Sequence, residues 1–135
     1  MINSVKDRIE RELNKIFGRL NQRNWVKVSH ILSKISLEIE NNGYTKFPLE
    51  AIQRLYIYKR IKGINHYNLL QEKLKESEAL ELGFLKDANN NLQFPPKRTF
   101  NNYVSSLEKE QVQYLDSLAE QILTLATKNN IILDI

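Results

Sequence analysis

Six cations stand where they could meet a phosphate backbone. Arg54, Lys59, Arg60 and Lys62 crowd one short stretch with Tyr56 and Tyr58 interleaved. Lys97 and Arg98 stand side by side directly after Pro95-Pro96. An ammonium or a guanidinium suits phosphate oxygens, and cations gathered on one surface displace the counterions of a duplex. Other chemistry is thin. His30 and His66 are the only histidines, and neither has neighbours at metal-ligand spacing. There is no cysteine, which removes disulfides and thiolate metal sites. No glycine-rich phosphate loop and no nucleophile motif is present.

The elements that would carry these cations follow from periodicity and punctuation. Pro48 suits a first helical position. Leu49, Ile52, Leu55, Tyr56 and Ile61 then mark the buried side of a helix predicted over Leu49 to Lys62. Gly63 reads as its stop and Asn65 as the cap of a second helix from about His66, packed by Leu69, Leu70 and Leu74 and ended by Gly83-Phe84. Residues 87–96 read as a loop. Lys97-Arg98-Thr99-Phe100 opens a further helix with Phe100, Tyr103, Val104 and Leu107 on its apolar face. Two helices across a short glycine turn, followed by a helix that begins with cations, is a way to present side chains to DNA. The cations at the end of the first of these helices also complement its dipole, a purely structural explanation for part of the cluster.

On either side lie more helices. Ser4 to Leu20 is predicted as an amphipathic helix, with Ser4 and Asp7 at capping-box spacing and Val5, Ile9, Leu13, Ile16, Phe17 and Leu20 on one face. Trp25 to Glu40 is predicted as a second, capped by Asn24 and ended by Asn41-Asn42-Gly43, with Trp25 as a core anchor. The two are expected to pair as a hairpin over Asn21–Asn24. A last helix runs from about Glu108 to Lys128 and stops at Asn129-Asn130. The tail Ile131-Ile132-Leu133-Asp134-Ile135 reads as a strand without a partner, or as an irregular packed tail. The expected architecture is all-α, about six helices with a helix-turn-helix-like centre and a short C-terminal strand or extended tail. Residues 1–44 form the hairpin, 45–130 the DNA-binding region and 131–135 the tail, in one compact domain.

Charge is unevenly divided. Residues 1–63 hold 13 Lys/Arg against 6 Asp/Glu, and residues 64–135 hold 7 against 10. A basic half suggests a polyanion partner. A coding bias toward Lys and Asn is the competing explanation; 15 Asn favour it, and six Arg in the basic half speak against it. The first residues alternate charge with apolar groups, unlike a signal peptide, and no run approaches a membrane span. The expectation is a cytoplasmic protein with no membrane role.

Taken in order, these motifs resemble the N-terminal region of DDE-type transposases from insertion sequences. Leu55-Tyr56-Ile57-Tyr58-Lys59-Arg60-Ile61-Lys62-Gly63-Ile64-Asn65 is similar to the family's helix ending in a small-residue turn. His66-Tyr67-Asn68-Leu69-Leu70-Gln71-Glu72-Lys73-Leu74 is similar to its following helix, and Leu82-Gly83-Phe84 to its leucine-glycine-hydrophobic motif. Pro95-Pro96-Lys97-Arg98-Thr99-Phe100 is similar to its proline and Ser/Thr helix start. The resemblance covers roughly Phe47 to the C-terminus. Where family members often carry an Arg after the Ser/Thr, this chain has Asn101-Asn102-Tyr103. The resemblance implies duplex DNA as partner, leaves a homodimer open, and implies no small-molecule substrate. It also implies that the final strand would open an RNase H-like core, making Asp134 a candidate for the first metal-binding carboxylate. The other two carboxylates are missing, so no catalysis is expected of this chain and no cofactor, Mg²⁺ belonging only to a full-length transposase. The alternative reading is a helical interaction module of a mobile element or phage, without DNA binding.

Overall fold

A computed structural model of the chain describes residues 2–19, 25–37 and 47–135. Among them run helices α1 (Ile2–Gly18), α2 (Val28–Ser33), α3 (Leu49–Lys62), α4 (Tyr67–Lys73), α5 (Glu76–Leu82), α6 (Lys97–Ser106) and α7 (Lys109–Lys128). Two short strands, β1 (Trp25–Val26) and β2 (Ile132–Leu133), complete the set. The protein is all-α with a short C-terminal strand, as its sequence leads one to expect.

α3 lies at the centre, with buried residues on most of its circumference and its polar ones gathered at Glu50, Arg54 and the last turn. Ala51, Ile52, Leu55, Ile57, Tyr58 and Ile61 are buried, and so is Gln53. A helix of that kind is stable only when enclosed. α7 covers it with a stripe at three- and four-residue steps, Leu115, Leu118, Ile122 and Leu125, and α2 covers it from another side. Ile9, Leu13 and Phe17 bury α1 against α7. The buried amide of Gln53 needs a partner, and its Nε2 donates to Tyr103 Oη at 2.9 Å, tying α3 to α6. α3 ends where its sequence says: Gly63 adopts φ +67°, Gly63 N donates to Arg60 O, and Ile64 N donates to Lys59 O. Asn129 and Asn130 likewise end α7, Asn130 at φ +58°.

Several expectations need correction. Trp25 is not a helical core anchor. It lies in β1, 62% exposed, with Val26 turned inward. The Trp-Val pair is β-prone and the tail gives it a partner, so the C-terminal strand is not alone. Trp25 pairs with Ile132 and Val26 with Leu133, in parallel. α2 consequently starts at Val28 and ends at Ser33; Ile35 and Leu37 are buried beyond it in non-helical backbone. α1 packs chiefly on α7 and α2 chiefly on α5, rather than on each other as a hairpin. The single helix expected from His66 to Leu82 is two, broken at Leu74-Lys75, where Lys75 N donates to Glu78 Oε1 at 3.0 Å and so opens α5. Seven helices therefore replace the expected six among the described residues. Pro48 and His66 precede the first turns of α3 and α4 by one residue. Ser4 lies inside α1, and its expected capping role rests on a side chain outside the described residues, as do Asn24, the Asn21–Asn24 link and the Asn41-Asn42-Gly43 stop.

Candidate nucleic-acid interface

An aromatic cluster sets α6 beside the end of α3. The Tyr67 ring of α4 stacks on Phe100 of α6 with centroids 5.0 Å apart, and on Phe94 at 6.2 Å. Phe94 in turn meets Phe84 edge-on at 5.0 Å. The Tyr67 hydroxyl donates to the carbonyl of Pro95, two residues before α6 begins. Desolvation of that buried phenol pushes its pKa up. Stacked and edge-on rings add about 0.5–1.5 kcal/mol per pair beyond their burial. The Pro95-Pro96 corner is therefore held from inside, and the direction in which α6 starts is fixed.

This places Lys59 and Arg60 from the last turn of α3 and Lys97 from the first turn of α6 on one cleft of about 320 Å³. Asn65 and His66, from the turn between α3 and α4, line the same cleft with Tyr56 and Asn101. Arg98 follows Lys97 on α6 and is exposed. Arg60 is 53% exposed and its Nε lies 3.1 Å from Asp116 Oδ1 of α7. The same oxygen accepts the Tyr56 hydroxyl at 2.7 Å. Burial, and then that carboxylate, push the Tyr56 phenol up to about 12.

The N-terminus of α6 is uncapped and basic. Its N-cap is Pro96, which offers no side-chain cap, and its first turn holds no acid. Most helices place a carboxylate or hydroxyl there, against the positive end of the dipole. Here Lys97 and Arg98 add to that positive end. Like charges in this position are unfavourable by about 0.3–1 kcal/mol each. Lys97 thereby adds positive charge to the cleft lining, beside Lys59 and the Arg60–Asp116 pair.

Three of the six candidate cations line this cleft; Arg98 is exposed next to Lys97 without lining it, and Arg54 and Lys62 face inward. Arg54 is turned inward with its side chain 13% exposed. Its Nη2 donates to Ile35 O at 2.8 Å and lies 2.7 Å from Glu50 Oε1, while Nη1 donates to Leu82 O at 3.2 Å. It ties α3 to the chain after α2 and to the end of α5. Lys62 is 16% exposed, lies 3.3 Å from Asp134 Oδ2, and also donates to the Asp134 carbonyl. Its ammonium sits 5.3 Å from the centre of the Tyr58 ring. Asp134, the candidate metal carboxylate, is 11% exposed, and its Oδ1 accepts the backbone N–H of Val28 at 2.7 Å. It caps α2 from the far end of the chain. Among the described residues no three His, Cys, Asp or Glu come together in a way that could hold a metal.

Sequence reasoning treated Asn65 and His66 as helix punctuation and missed their place on the cleft. The signal was present: both fall in the turn between the two helices that converge there. No described helix is long and apolar enough to cross a membrane. Compared with family models, curated proteins and solved structures, the chain matches none.

Proposed function

We propose that this chain is a duplex-DNA-binding module that grips the phosphate backbone at the α3–α4–α6 cleft. Lys59, Arg60, Lys97 and Arg98 supply the charge, and the uncapped start of α6 points its positive end at a phosphate. Asn65 and His66 add hydrogen-bonding groups on the same wall. Arg54 and Lys62 are left out of this interface because both are largely withdrawn from water onto internal partners, whereas Arg60, paired with Asp116, stays half-exposed. The observation that carries the reading is the placing of Lys97 and Arg98 on a helix N-terminus that has neither a side-chain cap nor an acid. Such a start is unfavourable for the helix alone and favourable once an anion is bound. The order of motifs that resembles the N-terminal region of insertion-sequence transposases supports the same reading, and with it a cytoplasmic protein that addresses DNA.

The test is fluorescence anisotropy of a labelled duplex at two salt concentrations. Binding should weaken steeply with salt. The Lys59→Glu/Lys97→Glu variant should lower the salt slope by about two units, and Lys62→Gln should leave it unchanged. No binding at low salt, or a double variant that binds as tightly as the parent, would overturn this reading in favour of a helical interaction module.

A further inference from the structure

A second cleft, of about 370 Å³, opens on the other side of α3 and has no part in the duplex reading. Tyr58 and Ile64 are its buried lining, Trp25 stands at its edge, and Lys27, Lys73 and Lys75 surround it. Lys62, Glu78 and Asp134 also line it; Lys62 and Asp134 match each other, while Glu78 leaves one acid in the cleft. Glu78 accepts the Tyr58 hydroxyl at 3.0 Å and the Lys75 N–H at 3.0 Å, and Asp134 holds Lys62 and Val28 N. Lys27, Lys73 and Lys75 have no ion-pair partner among the described residues, which sets three positive charges at the cleft against the single acid Glu78.

Trp25 is the chain's only tryptophan. A Trp left 62% exposed forgoes most of the burial that makes this residue an anchor. Its backbone pairs with Ile132, so the residue is carried on a strand rather than on a free loop. An exposed aromatic face on a strand, among unpaired lysines, is the composition that holds an unpaired nucleotide, the ring stacking the base and the cations meeting its phosphate. The volume lies at the small end of ligand sites and excludes a duplex. We propose that this cleft binds one nucleotide unit with its base on Trp25 and its phosphate between Lys73 and Lys75. The unit is either a free nucleotide or an unpaired residue of a strand.

Because Trp25 is the only tryptophan, intrinsic fluorescence reports on this cleft alone. The protein is titrated separately with a short thymidine oligonucleotide, with thymidine monophosphate and with inorganic phosphate. Saturable quenching by one or both nucleotide probes, and none by inorganic phosphate, is expected. Quenching by the monophosphate as tight as by the oligonucleotide assigns the free nucleotide, and quenching by the oligonucleotide alone assigns the strand. The Lys73→Ala/Lys75→Ala variant, altered only at exposed positions, should weaken binding about tenfold or more through loss of two charge-assisted contacts. Lys59→Glu/Lys97→Glu should not change it, which separates this site from the duplex interface. Absence of quenching by both nucleotides, equal response to inorganic phosphate, or quenching unaltered in the Lys73/Lys75 variant overturns the proposal.

Discussion

The Lys62 ammonium lies 3.3 Å from the Asp134 carboxylate, and the other oxygen of that carboxylate accepts the Val28 N–H at 2.7 Å. One side chain thus joins the end of α3, the start of α2 and the tail after β2. Both partners are largely withdrawn from water, so the pair is worth more than a surface ion pair, and losing one member strands the other. Asp134→Ala should lower stability by about 1–3 kcal/mol in urea denaturation. The Lys62→Met/Asp134→Ala double variant should lose less than the sum of the two single changes. Additive losses would mean that the two groups act independently.

Gly83 ends α5 at φ +112°, where a side chain is strained whatever the space. An added Cβ would also meet Ala51 Cβ and Arg54 Nη1, both at 3.4 Å. Gly83→Ala should cost about 1–3 kcal/mol by thermal or urea unfolding. Gly63 has φ +67° but open space around it, so Gly63→Asn, which tolerates that conformation, should be nearly neutral.

Three phenols resist ionisation in the folded protein. Burial, then Asp116, pushes Tyr56 up to about 12. Burial, then Glu78, pushes Tyr58 up, and burial alone does so for Tyr67. A raised folded pKa means that the unfolded chain releases the proton first. The stabilising effect is therefore complete below the ordinary value of 10.0 and is lost as pH rises through the folded values. The urea midpoint should be flat to about pH 9 and then fall. These tyrosines should ionise together with unfolding, seen as late, cooperative tyrosinate absorbance. Early, independent ionisation of all the tyrosines would contradict the burial.

The parts of the fold set by local chemistry were legible in the sequence. The end of α3 at Gly63, the end of α7 at Asn129-Asn130 and the α6 start after Pro96 each follow from the conformational habits of one or two residues. What escaped was set by partners remote in sequence. Trp25 falls in register with the helical stripe that follows it, yet pairing with Ile132 draws it into a strand. The break at Leu74-Lys75 has no glycine or proline to announce it. Lys59, Arg60, Lys97 and Arg98 could be chosen from charge clustering, whereas Arg54 and Lys62, equally basic in sequence, face inward. Only the positions of Glu50, Ile35, Leu82 and Asp134 distinguish them.

Arg54 and Arg98 should therefore separate stability from binding. The Arg54 guanidinium, 13% exposed, bonds two backbone carbonyls as well as the more exposed Glu50, so Arg54→Ala takes the donor from two part-buried carbonyls. It should cost about 2–3 kcal/mol in urea denaturation. At a temperature where the variant stays folded, its duplex affinity should match the parent's. Arg98 is exposed at the start of α6, where its charge opposes the helix dipole. Arg98→Ala should leave stability unchanged or raise it by a few tenths of a kcal/mol, while lowering the salt slope of duplex binding by about one unit. If Arg54→Ala weakened duplex binding and Arg98→Ala did not, the interface would have to lie away from the α6 start, and the cleft between α3 and α6 would lose its role.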